Sequence, residues 1–108
     1  MNDKVPRPAG IALPMNTPVE SLWPLLIGQE IVLDMTSPYV VLGQLAAAHH
    51  DYLELVEVDV HDLRDTQTTR EKYVLECRLH GIRPNRARAW ISLRELMGIS
   101  RLADVLVD

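Results

Sequence analysis

The sequence predicts a mainly-β fold built as a small barrel, and three features carry that prediction. Residues 28–45 form a predicted hairpin, in which an alternating strand, a Thr-Ser-Pro turn at 36–38 and a β-branched second strand follow one another. Gly43 interrupts the second strand, as a bulge or a sharp bend in a strand requires. Three further strands are predicted downstream, at 52–61, 87–92 and 97–102.

Both strands of the hairpin are apolar on both faces. Ile31 and Leu33 lie on one face and Val32 on the other, and the second strand is built in the same way. A hairpin with one solvated face alternates apolar and polar residues. We therefore expect the barrel interior to cover one face and a further element to cover the other.

The composition indicates one soluble domain. The 108 residues are 47% hydrophobic and 24% charged, which is ordinary for a globular protein. We expect residues 1–16, with three prolines, to be an extended N-terminal arm, and residues 17–108 to form a single barrel domain. The sequence has a lone cysteine, no secretory signal and no apolar run near the ~20 residues of a membrane span. These features together predict a cytoplasmic protein that does not enter membranes.

A short helix is expected before the hairpin. Thr17 and Glu20 fit a capping box with proline at the first helical position, and Pro24 then limits the helix to about 18–23. We expect this helix to lie across an open end of the barrel. The alternative is an irregular arm held down by Trp23.

A longer helix is expected between the third and fourth strands, at about 68–80. Thr68 and Glu71 fit a second capping box, and Gly81 suits the position after the last helical residue. Residues 73–79 also alternate, so a strand is the alternative, but both end signals favour the helix. The remaining connections are predicted as a loop at 46–51, turns at 62–67 and 82–86, and a short reversal at 93–96.

The charge distribution is uneven although the net charge is only −4. Residues 51–65 hold six acidic residues and one arginine, and residues 78–101 hold six arginines and one glutamate. A net acidic chain is not a general nucleic-acid binder. The asymmetry can mark an anion-binding face, or two surfaces that meet in a homo-oligomer, and we favour the second interpretation.

The order of elements and the spacing of the hairpin resemble the Sm-like family, which includes the Sm proteins and bacterial Hfq. Residues that match the first motif of that family are Gly28, Ile31, Leu33, Val40, Gly43 and Leu45. Ile91, Leu96 and Ile99 match hydrophobic positions of the second motif. The resemblance covers about 28–60 and 87–102, and SH3-like and ribosome-associated barrels share much of the same alternation.

The resemblance implies a strongly bent five-stranded barrel that assembles into a ring. In such rings the fourth strand of one subunit pairs with the fifth strand of the next, and this contact would also explain strands that are apolar on both faces. Sm-like rings bind single-stranded RNA at the pore. Glu54 stands here in place of the family's asparagine, and Ser92-Leu93 in place of its Arg-Gly pair, so the usual RNA site is altered.

Two functional hypotheses follow. The first is a homo-oligomer that binds single-stranded RNA through a non-standard surface, and the second is a protein-interaction or self-assembly module without the usual RNA site. The candidate RNA-binding residues are Arg83, Asn85, Arg86, Arg88, His50 and Tyr52. The arginine turn could contact phosphates, or it could be solvated or paired with the acidic third strand. Glu54 has no positive neighbour in its own strand, so we expect it to repel the RNA backbone.

No enzyme, metal site or cofactor is predicted. His49, His50, Asp51, Asp59 and His61 are suitable metal ligands, but they lack a recognised ligand spacing. Cys77 near His80 suggests a nucleophile, yet its apolar neighbours indicate a small core residue. Trp23 and Trp90 are interpreted as packing groups rather than as platforms for base stacking.

Overall fold

A computed structural model describes residues 18–65 and 67–107 of the chain. The predicted arm at 1–16 and the proposed Thr17 cap lie outside the described residues. Within these ranges one antiparallel sheet has the strand order β4-β3-β2-β1-β5. Its strands are β1 (Glu30–Met35), β2 (Tyr39–Ala48), β3 (Tyr52–Asp62), β4 (Arg86–Ser92) and β5 (Leu96–Arg101), and its helices are α1 (Trp23–Leu26) and α2 (Arg70–His80). Single 3-10 turns lie at Val19–Ser21, Leu63–Asp65, Leu93–Glu95 and Leu102–Asp104.

The predicted hairpin is confirmed, and Gly43 marks a bulge. β1 and β2 pair with Leu33 opposite Val41, and the pairing of β2 with β3 shifts register around Gly43. A Cβ at Gly43 would lie 3.2 Å from the carbonyl oxygen of Val56, so any other residue at this position would have to displace the backbone of β3. β2 continues past Gly43 to Ala48. The predicted loop at 46–51 is therefore wrong over its first three residues, which remain in the strand.

The same bulge changes which side chains of β3 face inward. Leu53 and Leu55 are buried before it, whereas Val58 is buried after it, and Glu57 between them has a positive φ of 51°. Two residues of β3 thus oppose one residue of β2, which reverses the inside–outside alternation. The inner core contains Trp23, Leu26, Ile31, Leu33, Met35, Val41, Leu45, Leu53, Leu55 and Val58.

A second apolar cluster lies on the outer face of the hairpin. Val32, Val40 and Leu42 pack there against Val74 and Cys77 of α2, and Leu102 completes the cluster. The barrel interior covers one face of the hairpin and α2 covers the other, so both faces of its strands are apolar. The expectation that a neighbouring subunit explains this pattern is wrong, since α2 already occupies the outer face.

The helix α1 begins where the predicted helix was expected to end. Val19–Ser21 forms a 3-10 turn, and Pro24 lies in the first turn of α1. A helix needs no backbone N–H from its first turn, so Pro24 starts this helix instead of limiting it. The short helix does bury Trp23 and Leu26, as expected for an element that lies against the barrel.

The insertion between β3 and β4 is a helix, as predicted, and the strand alternative for 73–79 is wrong. The N-cap is Thr69, whose hydroxyl accepts a hydrogen bond of 3.2 Å from the backbone N–H of Lys72, so the predicted cap was one residue too early. Gly81, with a φ of 93°, follows the last residue, and its N–H donates to the carbonyl of Cys77. Local cap chemistry thus outweighed the alternation.

Polar contacts hold the N-terminal part of α2 on the sheet. The Arg70 guanidinium donates to the carbonyl oxygens of Tyr39 at 3.0 Å and Ser37 at 3.2 Å, and it lies 3.6 Å from Asp34. One turn later the Tyr73 hydroxyl donates to the buried carboxylate of Asp59. These bonds fix where α2 lies, because the helix itself buries only Val74 and Cys77.

Candidate nucleic-acid interface

The outer face of β4 presents two arginines and a tryptophan to solvent. Successive side chains of a strand alternate between faces, so Arg86, Arg88 and Trp90 share one face while Ala89 and Ile91 pack against the inner core. Trp90 is 58% exposed, whereas Trp23 is 7% exposed. The interpretation of Trp90 as a packing group is therefore wrong. The signal was present in the sequence, since Trp90 alternates in step with the two arginines of the segment RARAW.

Tyr52 lies on the same outer face, across the strand pair from the end of β4. It is paired with Ser92, and the next outward residue of β3, Glu54, is paired with Trp90. The ring of His49 stacks on Tyr52 with centroids 4.5 Å apart. An open pocket of about 410 Å³ is lined by His50, Asp51, Tyr52, Trp90, Ser92, Leu93 and Arg94. Two of the predicted site residues, His50 and Tyr52, are thus brought together with the unexpected Trp90.

The Glu54 carboxylate is bound by side chains from other parts of the chain. Arg88 of β4 binds its Oε2 atom, and His49 Nε2 lies 3.4 Å from its Oε1 atom. Desolvation opposes ionisation, but hydrogen bonds from His49, Arg88 and, to a smaller extent, Trp90 outweigh it and keep the pKa of Glu54 below its usual value. Glu54 has no positive neighbour in its own strand, but Arg88 reaches it across the strand pair, and its repulsion of an RNA backbone stays a prediction.

The oppositely charged segments are neighbours within one chain. β3 carries four of the six acidic residues of the acidic segment, and β4 carries two of the six arginines, Arg86 and Arg88. The charge asymmetry therefore needs no contact between subunits to account for it. It also confirms the alternative that part of the arginine turn pairs with the acidic third strand, since Arg88 binds Glu54.

The turn before β4 is organised by Asn85. Its side-chain amide donates to the carbonyl oxygen of Val60 at 3.0 Å, and its Oδ1 atom accepts from the Val60 N–H at 3.0 Å. The amide also contacts Asp59 Oδ1 at 3.3 Å, and Arg86 donates to Asn85 Oδ1 at 3.2 Å. Asn85 thus extends the β3–β4 pairing and positions Arg86. Its hydrogen-bonding groups are engaged inside the protein.

Arg83 is placed away from the other two arginines of the turn. It lines a pocket of about 280 Å³ beside α2, together with Tyr73, Glu76, Cys77, His80 and Gly81. The side chains of Arg86 and Arg88 instead follow the exposed face of β4. The three arginines that are close in sequence therefore serve two different surfaces.

The histidines, carboxylates and cysteine of the described residues form no group of three that could hold a metal ion. Asp59 and His61 do lie on one side of β3, but Asp59 accepts hydrogen bonds from Tyr73 and Asn85, and His61 stacks on Tyr73 with centroids 3.7 Å apart. Burial, with a further contribution from Asp59, raises the pKa of the Cys77 thiol. A raised pKa disfavours the thiolate, which is the nucleophilic form.

The architecture is similar to that of a solved Sm protein. An Sm protein of Pyrococcus abyssii, whose structure was determined with a uridine heptamer, superimposes with a TM-score of 0.53 at 9% identity. The match covers 79% of this chain and 99% of that protein. The chain has an Sm-like fold. No family model matches the sequence, and no curated protein matches it either.

The Sm-like barrel places the candidate interface at one end of the sheet and leaves two strand edges open. β4 and β5 are the outermost strands, so each has an edge without a strand partner among residues 18–65 and 67–107. No helix in the described part of the chain is long and apolar enough to cross a membrane.

Proposed function

We propose that this Sm-like protein binds single-stranded RNA through the outer face of the β3–β4 pair. The observation that carries the proposal is the exposed Trp90, which alternates with Arg86 and Arg88 and lies beside Tyr52. Aromatic rings that stack on bases, combined with cations that contact phosphates, are the usual means of binding single strands. The function that we propose for this surface is recognition.

Each predicted site residue has a part in this proposal. Tyr52 and Trp90 stack on bases, with His50 at the rim of the same pocket. Arg86 contacts a phosphate, whereas Arg88 is shared between Glu54 and the bound RNA. Asn85 positions Arg86 through their 3.2 Å hydrogen bond and does not itself contact RNA. Arg83 remains a candidate phosphate contact only if the bound RNA continues past β4 towards α2.

We further propose that copies of the chain assemble through their open strand edges. An edge strand presents unpaired backbone N–H and C=O groups, and pairing β4 of one copy with β5 of another would satisfy them. Met97 of β5 is 66% exposed and would be covered by such a contact. Only the open strand edges support such an assembly, since α2 covers the outer face of the hairpin. Light scattering at micromolar concentration should show an oligomer, and a monomer would refute this part.

The RNA proposal is tested by fluorescence anisotropy with a short single-stranded RNA at two salt concentrations. Trp90→Ala should weaken binding about 5- to 150-fold, from a stacking contribution of roughly 1–3 kcal/mol per base. Arg86→Ala should reduce the salt slope by about 0.7, the value expected for one phosphate contact on a single strand. Arg78→Ala is the matched control, because Arg78 is also exposed but lies on α2.

The outcomes separate the two functional hypotheses. Weaker binding by Trp90→Ala and Arg86→Ala with unchanged binding by Arg78→Ala supports the interface. Equal losses in all three variants indicate non-specific attraction and refute it. A wild-type protein that oligomerises but binds no RNA would instead favour the self-assembly module.

A further inference from the structure

Four outward side chains of the β3–β4 pair form a compact group around Glu54. Glu54 lies across the strand pair from Trp90, and Arg88 binds Glu54 from the position two residues before Trp90. Tyr52 lies two residues before Glu54 on the same face of β3. Directly opposed residues are about 5 Å apart, and successive outward residues are about 7 Å apart. A base that stacks on either aromatic ring therefore lies within reach of the Glu54–Arg88 pair.

The Glu54 carboxylate retains acceptor capacity in this arrangement. Oε1 lies 3.4 Å from His49 Nε2, Oε2 binds Arg88, and the Trp90 side chain adds a weaker interaction, whereas an ionised carboxylate has about four acceptor sites. Its side chain is 20% exposed, so a ligand can approach it. The same neighbours keep the pKa of Glu54 below its usual value, so the group is ionised at neutral pH.

We infer that the Glu54–Arg88 pair makes this surface selective for guanine in single-stranded RNA. The Watson–Crick edge of guanine presents an acceptor, O6, followed by two donors, N1–H and the N2 amino group. A carboxylate accepts from both donors, and the adjacent guanidinium donates to O6. The inference rests on the proposed RNA-binding function, and it adds the base that the surface reads.

The other bases do not present this pattern. Uracil has an acceptor on each side of N3–H, so one carboxylate oxygen would face a carbonyl oxygen. Cytosine and adenine each present a single amino donor beside a ring-nitrogen acceptor, which would meet the second carboxylate oxygen. Since both partners would carry lone pairs, these contacts are repulsive. A matched pair of hydrogen bonds to a base edge discriminates by about 5- to 150-fold.

The test uses the full chain and a set of uridine heptamers that differ only in the central base. The central positions are guanine, inosine, adenine, cytosine and uracil, and affinity is measured by fluorescence anisotropy at one salt concentration. We expect guanine to bind about 10- to 100-fold more tightly than uracil. Inosine keeps N1–H and O6 but lacks the amino group, so it should be intermediate. A 7-deazaguanine heptamer, which keeps the Watson–Crick edge, should bind like guanine.

Two variants test whether Glu54 is the residue that causes the guanine preference. Glu54→Gln should abolish the guanine preference while leaving the all-uridine heptamer bound at least as tightly, because a negative charge is removed. Arg86→Ala is the control: it should weaken all heptamers by the same factor and keep the guanine-to-uracil ratio. Melting temperatures of both variants show whether each is folded, and the inosine comparison on the wild-type protein needs no variant.

The possible failures are distinguishable. Equal binding of all five heptamers would overturn the guanine inference and leave the RNA-binding proposal standing. A guanine preference that survives Glu54→Gln, or that is lost in the 7-deazaguanine heptamer, would also overturn it. Failure of every heptamer to bind would overturn the RNA-binding proposal and the guanine inference with it.

Discussion

Replacing Tyr73 by phenylalanine removes the hydroxyl that binds the buried carboxylate of Asp59. Asp59 is only 3% exposed, and its other hydrogen bond comes from Asn85 at 3.3 Å. Loss of a hydrogen bond to a buried charged group costs about 1.5–3 kcal/mol, because water cannot take the place of the missing donor. For a domain of this size the melting temperature should fall by about 6–20 °C. Urea unfolding followed by circular dichroism measures the loss directly.

The stability that the Tyr73 hydroxyl contributes should decrease at high pH. Burial, followed by the hydrogen bond to Asp59, raises the pKa of the Tyr73 phenol above its ordinary value near 10. A group whose pKa is raised on folding contributes its full stability below the pKa of the unfolded chain, and this contribution is lost as the pH rises towards the folded value. The stability gap between the wild type and Tyr73→Phe should therefore be constant below about pH 9 and narrow above pH 10.

Two results would refute this reasoning. Tyr52→Phe is the matched control, because Tyr52 is exposed and its hydroxyl makes no hydrogen bond within the described residues, so it should unfold at the wild-type urea concentration. If Tyr73→Phe unfolds at the same midpoint as Tyr52→Phe, the hydroxyl does not stabilise Asp59. If the gap stays constant up to pH 10.5, the phenol pKa is not raised in the folded protein.

Three further predictions concern the sheet and its connections. Arg70→Met should lower the free energy of unfolding by about 1–3 kcal/mol in urea titrations, because two carbonyl groups around the β1–β2 turn lose their charged donor. Gly43→Ala should cost about 1–3 kcal/mol in the same assay, since the added Cβ would lie 3.2 Å from a backbone oxygen of β3. Asp62 should titrate with a pKa of about 2 in an NMR experiment, because the side chain and the backbone N–H of Arg64 bind its carboxylate. Arg64→Ala should raise that pKa only part of the way to its ordinary value, since the backbone N–H remains.

The sequence by itself was sufficient for the elements whose signals are local. The β1–β2 hairpin follows from its alternation and from the turn at 36–38, and α2 follows from its cap residues and Gly81. These signals act over a few residues, so a single chain segment contains all of them. The candidate arginines of β4, together with His50 and Tyr52, could be named for the same reason, since their charge, aromaticity and spacing are visible in the sequence.

Only the tertiary structure decided which surfaces these segments share. The packing of α2 on Val32, Val40 and Leu42 joins residues that are 32 to 45 positions apart, and no local pattern specifies such a contact. The same holds for Arg88, which reaches Glu54 across 34 residues and converts an isolated acidic side chain into a charged pair. The bulge at Gly43 reverses the inside–outside alternation of β3, and the open position of β4 at the sheet edge leaves Trp90 in solvent. Burial is a property of the assembled sheet, so a tryptophan in an alternating strand could be assigned to its face only once the neighbouring strands were known.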